Sequence, residues 1–269
     1  MNGDRLAAQA VITTSRKAAP PVVARAQSLA AQYGLRYVER QDLRIDELAR
    51  NRAVIVVGGE GVVLHARGAT FRYHPGMAVN RIRTMRQGRK DWMVAAMELR
   101  AGDQVLDATL GLGSDLLVAS YVVGSGGRAV GLESEGLLAL VVRVGMATYV
   151  HSVAEVTAAL RRIEVVHARY EEYLAALPAA SFDVVYFDPM FQEPVAESRH
   201  MEPLRALANP APLERRALEL ARRVARRCVV VKDRSDGPYV SSGWFDRVVG
   251  GPRSRITYGV IDVRGGRSA

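Results

Sequence analysis

Apolar and polar positions change rhythm along this chain near residue 100. Before that point, short apolar runs at 10–13, 35–38 and 53–57 predict strands. A helical stretch at 22–33 follows Pro20-Pro21 and is closed by Gly34. Gly58-Gly59-Glu60-Gly61 predicts a turn, with 62–66 and 70–73 continuing from it as a hairpin. His74-Pro75-Gly76 interrupts the pattern, and 77–99 predicts one or two helices. Residues 1–74 therefore form a small α/β region and 75–100 a helical connector.

From residue 103 the pattern alternates strand and helix. Strands are predicted at 104–106, 129–132, 163–167, 184–187 and 228–231. Helices are predicted at 115–123, 137–149 and 213–227. The second is apolar on most faces, hence buried, and the third is amphipathic. Segments 245–249 and 256–263 flank Gly250-Gly251-Pro252 and predict a closing antiparallel hairpin. Five alternating units plus that hairpin imply an α/β fold over 101–269, a doubly wound, seven-stranded, mostly parallel sheet.

Composition narrows the classes. At 269 residues and 49% hydrophobic, the chain can bury a large core and is not disordered. The single cysteine, Cys228, excludes an internal disulfide and sits in an apolar strand as a core residue. No apolar stretch reaches membrane-spanning length, and the polar start carries no signal-peptide pattern, so a cytoplasmic protein is expected. The five histidines show no metal-ligand spacing, so no metal is expected. Formal charge is +9, and the placement of that excess is informative. Residues 1–100 hold 17 basic against 8 acidic residues, whereas the remainder is balanced. No acid lies between Glu60 and Asp91, a window containing Arg72, Arg81, Arg83, Arg86, Arg89 and Lys90. An acid-free basic stretch suits a phosphate backbone, so these six are the candidate RNA contacts.

Candidate chemistry lies at the strand ends, where open α/β sheets bind ligands. Asp107-Ala108-Thr109-Leu110-Gly111-Leu112-Gly113 follows the first strand of the alternating region. Gly111 and Gly113 let the backbone approach a ligand. A dinucleotide fingerprint would need glycine where Leu116 stands, and Asp107 would repel a pyrophosphate. Asp107 suits an ammonium group instead. Glu133 ends the second strand and can accept both hydroxyls of a ribose. Ribose plus ammonium without phosphate describes S-adenosylmethionine. At the end of the fourth strand stands Phe187-Asp188-Pro189-Met190-Phe191. A carboxylate, a proline and an aromatic there suit holding a planar amine: Asp188 accepts N–H bonds, Pro189 aims its carbonyl, and Phe191 stacks on a base.

These residues resemble class I S-adenosylmethionine-dependent methyltransferases, whose sheet is Rossmann-like. More narrowly they resemble the RsmJ family, bacterial enzymes that methylate a guanine N2 of small-subunit ribosomal RNA. The resemblance rests on residues 107–115, on Val166-His167-Ala168, on Asp188-Pro189-Met190-Phe191 and on Val229-Val230-Val231-Lys232, within roughly 100–235. It implies that Ser114 and Asp115 contact the cofactor, that Glu133 and Ser134 hold its ribose side, and that Arg169 and Tyr170 bracket its adenine. It places Asp188 between cofactor and substrate, with small-subunit ribosomal RNA or the subunit itself as partner. Ser114 and Ser134 stand where that family typically has Arg, and Gln192 where it has Pro. Adenine N6, a small molecule or protein as methyl acceptor, and a non-catalytic RNA-binding assembly factor are the competing readings.

Overall fold

The computed structural model describes residues 10–66, 68–189 and 211–263. Two sheets are present. The N-terminal one contains β1 (Ala10–Thr14), β2 (Arg36–Tyr37), β3 (Ala53–Gly58), β4 (Gly61–Ala66) and β5 (Ala69–Arg72), in the order β2-β1-β3-β4-β5. β1 runs parallel to both neighbours, and β3, β4 and β5 form an antiparallel meander. Helix α1 (Pro20–Gln32) starts at the Pro pair, whose missing N–H groups cost nothing at a helix start, and covers one face. The short α2 (Ile45–Leu48) links β2 to β3.

Two helices connect the sheets: α3 (Ala78–Arg86) and α4 (Trp92–Met97), the latter capped by Asp91, which accepts from the Val94 N–H at 3.1 Å. The larger sheet then alternates β6 (Gln104–Asp107), α5 (Ser114–Val123), β7 (Arg128–Glu133), α6 (Gly136–Thr148), α7 (Ala154–Arg162), β8 (Ile163–His167), α8 (Tyr170–Ala176) and β9 (Phe182–Phe187). It closes with α9 (Arg215–Val224), β10 (Ala225–Arg234), β11 (Arg247–Gly250) and β12 (Ile256–Asp262). The seven strands lie in the order β8-β7-β6-β9-β10-β12-β11, all running the same way except β12, which is antiparallel to both β10 and β11. The topological switch point falls between β6 and β9, so the Asp107 turn and Asp188 flank one crevice.

Period-two alternation divides the strand residues between the two faces. Leu106, Val185, Phe187, Val229 and Val231 pack against α8 and α9. Val105, Val184, Tyr186, Cys228 and Val230 face the other way, into a core that continues through α5, α6 and α3 to Ile12, Ile55 and Leu64 of the N-terminal sheet. Cys228 is fully buried there, and burial pushes its thiol up to about 11. Helix α7 went unnoticed in the apolar pattern because it is short and half-exposed. Glu171 and Glu172 occupy the first turn of α8, where they favour the positive end of the helix dipole.

The two sheets meet closely where α6 packs on Tyr73 just after β5. A Cβ placed on Gly145 would lie 2.1 Å from the Tyr73 Cβ, an atom that side-chain rotation cannot move away. Gly145→Ala should therefore destabilise the protein despite the roughly 1 kcal/mol that alanine contributes to a helix. We expect a net loss of about 1–2 kcal/mol from overpacking, read as a lower thermal midpoint. An unchanged or raised midpoint would contradict the close approach.

Candidate active site

The turn after β6 is held from three sides. Ala108 N–H donates to the Tyr186 carbonyl of β9 at 2.8 Å, and Leu110 N–H donates to the Leu132 carbonyl of β7 at 2.8 Å. Gly111 and Gly113 both adopt positive φ, +51° and +69°, a conformation costly for residues with a Cβ. Gly113 then caps α5. Asp107 is buried, and the Thr109 N–H donates to its Oδ1 at 3.0 Å. Burial raises its carboxyl well above the ordinary range, and the nearby Asp115 and Asp188 add to the rise.

Glu133 ends β7, one strand over. Its two oxygens accept from the Gly111 N–H at 3.2 Å and the Glu135 N–H at 2.8 Å. Burial pushes its pKa up to about 7. Ser134 follows it, and its carbonyl lies 3.1 Å from His167 Nε2. Arg169 and Tyr170 stand at the end of the adjoining β8, whose Ala168 N–H donates to the Glu133 carbonyl at 3.0 Å. Arg169 is exposed and pairs with Glu171 at 3.4 Å, while Tyr170 packs edge-on against Phe187.

Asp188 ends β9 across the switch point. Its N–H donates to Thr109 Oγ1 at 2.6 Å, tying the two strand ends together. Its Oδ2 accepts from Lys232 Nζ at 2.8 Å. Burial and Asp115 push the Asp188 carboxyl up, Lys232 pulls it back, and the balance is about 6. Pro189 is the last described residue of this segment; Met190, Phe191 and Gln192 lie outside the described residues.

Three of the expected site residues have protein partners. The Ser114 and Asp115 side chains both bond to groups of the protein. Ser114 Oγ donates to the Pro75 carbonyl at 3.1 Å. Asp115 accepts from Arg81, from Tyr186 Oη at 2.7 Å and from Lys232 at 2.9 Å. Burial alone would raise Asp115, but Lys232 and Arg81 overcome it and hold its carboxyl well below the usual range. Arg81 is likewise no free RNA contact. It points inward, binding Asp115 and also Asp91 at 2.8 and 2.9 Å. The acid-free window misled because its flanking acids fold back onto it: Asp91 on Arg81, and Glu60 on Arg72 at 3.4 Å. Arg72 also lines a cavity of about 250 Å³ with Ser15, Val56 and Val63 in the N-terminal sheet, apart from α3. Arg83, Arg86, Arg89 and Lys90 remain exposed on and after α3, with Lys90 4.3 Å above the Trp92 ring. Sequence reasoning gave no function to Lys232 or Thr109. The available signal for Lys232 was a charge ending the apolar run 228–231 at a strand end.

A family profile described as "Putative SAM-dependent methyltransferase" matches residues 63–249, more than half of the chain. The chain belongs to this SAM-dependent methyltransferase family. Bacillus subtilis YpiP is 38% identical over 254 residues, 93% of this chain and 98% of its own length. Ribosomal RNA small subunit methyltransferase J of Laribacter hongkongensis is 33% identical over 137 residues, 48% of this chain and 46% of its own. The Psychrobacter cryohalolentis protein of the same name is 28% identical over 150 residues, 49% of each. The chain thus spans about half the length of those two relatives. A SAM-dependent methyltransferase of Neisseria gonorrhoeae shares the fold, with a TM-score of 0.67 at 20% identity over 96% of this chain and 99% of its own.

The cofactor of the family is S-adenosylmethionine. The strand ends fit it: Asp107 is a buried acid with no cation bonded to it among the described residues, which a ligand ammonium would relieve. When bound, the cofactor supplies an electrophilic methyl group on a sulfonium. No helix among the described residues is long and apolar enough to cross a membrane. Nor does any group of three or more His, Cys, Asp or Glu there suit a metal.

The raised carboxyl of Asp107 has a consequence for stability without cofactor. An acid whose folded pKa lies above its unfolded value loses stability as pH rises between the two. Asp107→Asn keeps an acceptor for Thr109 and has no such loss. Its stability relative to the unsubstituted protein should grow by up to about 1.4 kcal/mol per pH unit above pH ~4. Denaturant midpoints at pH 5 and pH 8 measure this; an equal difference at both would refute the buried, unpaired acid.

Proposed function

We propose that this methyltransferase acts on an exocyclic amine of an RNA base, namely guanine N2 of small-subunit ribosomal RNA. The observation that carries the reading is Asp188 at the switch point, with one oxygen taken by Lys232 and its backbone fixed to Thr109. Its remaining oxygen suits the N–H of a planar amine. The names of the Laribacter and Psychrobacter relatives supply the ribosomal RNA part of the proposal. The exposed Arg83, Arg86, Arg89 and Lys90 support a polyanionic substrate.

In this mechanism the enzyme chiefly positions its reactants. A guanine amine is a weak nucleophile because its lone pair is delocalised into the ring. Asp188 and the Pro189 carbonyl accept its N–H bonds, favour pyramidalisation and stabilise the positive charge that develops on nitrogen. Phe191 is assigned to stacking on the unstacked base. Glu133, with Ser134, is assigned to the ribose, Gly111 and Gly113 to close backbone approach, and Arg169 and Tyr170 to the adenine side.

Asp188→Ala should lower single-turnover methyl transfer about 100- to 1,000-fold while leaving cofactor affinity in calorimetry nearly unchanged. Asp188→Asn should fall steeply too, because its amide opposes the guanine N1–H and N2–H donors. Near-normal transfer by Asp188→Ala would refute the catalytic role. Near-normal transfer by Asp188→Asn alone would identify adenine, whose N1 accepts from an amide.

Neutralising Arg83, Arg86 and Arg89 should flatten the log–log salt dependence of RNA binding. The expected change is about 0.7 per lost contact to single-stranded RNA, without any change in cofactor affinity. Filter binding over a salt series measures it, and a retained slope would mean that α3 presents only a solvated basic face.

A further inference from the structure

Lys232 is a charge at the end of the apolar strand run Cys228-Val229-Val230-Val231. It pairs in register with Tyr258 of β12 and keeps only 20% of its side chain exposed. Its Nζ lies 2.9 Å from Asp115 Oδ2 and 2.8 Å from Asp188 Oδ2, so two of its three donors are committed. Asp115 is itself immobilised, since Arg81 holds its other oxygen and Tyr186 Oη shares Oδ2. Arg81 is anchored in turn on the Asp91 cap of α4. The lysine therefore cannot swing away from Asp188 without breaking a network that spans five elements and their ends.

We propose that Lys232 is the positioning residue for Asp188: clamped by Asp115 and Arg81, it occupies one carboxylate oxygen and leaves the other as the single acceptor aimed at the target amine. The proposal rests on the reading of Asp188 given above. The backbone bond to Thr109 fixes the main chain of Asp188, and the side-chain bond to Lys232 restrains the rotation of its carboxylate. A carboxylate free to rotate would offer the amine either oxygen at variable angles, and a misplacement of about 1 Å costs about 100-fold in rate.

The same ammonium keeps Asp188 ionised, and the surrounding groups show why. Facing the pair are Asp107 at the end of β6, Asp115 on α5, Tyr186 on β9, Tyr258 on β12 and, through Asp115, Arg81 on α3. Burial and the Asp115 carboxylate favour a proton on Asp188. Lys232 directly opposes them, and its own charge is secured by Asp115 and Asp188 against the burial that would lower it. Without the lysine, Asp188 should take up a proton at higher pH. It would then present a donor in place of an acceptor.

The test compares Lys232→Met, Lys232→Arg and Asp188→Ala with the unsubstituted protein. Carbon-13 NMR of labelled aspartate follows the Asp188 carboxyl, assigned by the signal missing in Asp188→Asn. In Lys232→Met its titration should move to higher pH by about one to three pH units. In Lys232→Arg it should stay in place. Single-turnover transfer to small-subunit ribosomal RNA from a strain lacking this gene should fall about 100-fold in Lys232→Met at pH 7. It should recover in part as the pH rises. Lys232→Arg should lose at least about tenfold, because a planar guanidinium does not fit the point between two carboxylates. An unmoved Asp188 titration in folded Lys232→Met overturns the proposal, whatever RNA is used. So does an undiminished rate in Lys232→Arg, which also decides the matter if Lys232→Met fails to fold. Near-normal transfer by Asp188→Ala would instead overturn the catalytic reading itself, and the positioning role with it.

Discussion

The Asp115 carboxylate is the constraint around which this molecule is arranged. One buried acid accepts from Arg81 of the connecting helix, from Tyr186 of the central strand and from Lys232 of the next strand. A buried carboxylate is tolerable only when its charge and lone pairs are satisfied, and these three donors satisfy it. The arrangement fixes α3 against the start of α5 and so places the connector beside the cofactor turn. It also places Lys232 where it can reach Asp188. The Ser114 bond to Pro75 repeats the arrangement a residue earlier, attaching the same turn to the segment that leaves the N-terminal sheet.

Most of the fold was legible because strands in a doubly wound sheet are continuous apolar runs, and helices between them carry a face. The seven-stranded sheet, its closing hairpin and the buried α6 follow from those two periods alone. Boundaries moved by a few residues, the most at β10, which extends to Ala225–Arg234 because β12 pairs along its polar end. Helix α7 escaped because nine residues carry too few turns for a periodic signal, whereas α8 was marked only by the two acids of its first turn, Glu171 and Glu172. At the site, the strand-end acids Asp107, Glu133 and Asp188 were readable, since position in a strand–turn unit locates them. The ion network was not. Arg81 and Asp115 are 34 residues apart, and Asp115 and Lys232 are 117 apart, so their meeting depends on tertiary packing. Counting charges in a window could not reveal that Arg81 turns inward, because a local tally contains no direction.

Position also explains why charge density alone did not separate Arg81 from the other arginines of α3. On α3, Ile82 and Ala78 face the core, and Arg81 lies at its edge, within reach of Asp115. Arg83, two residues past Arg81, falls on the side away from it, and Arg86 is exposed at the end of the helix, one turn beyond Ile82. One helix thus carries arginines with two different roles, divided by the 3.6-residue turn. The inward one belongs to the sheet, while the outward ones are available to a partner.

The apolar core that runs without a break from Ile12 and Ile55 to Val105 and Val230 has a thermodynamic consequence. Two sheets that bury a common interior cannot melt separately, because exposing either one uncovers the helices that both pack against. The N-terminal sheet therefore shares its interior with the larger sheet. In this protein, a cut placed before β6 would leave α5 and α6 with a bare apolar face and Asp115 without its arginine. Trimming the chain to its larger sheet would thus uncover apolar surface that Ile12, Ile55 and Leu64 now cover.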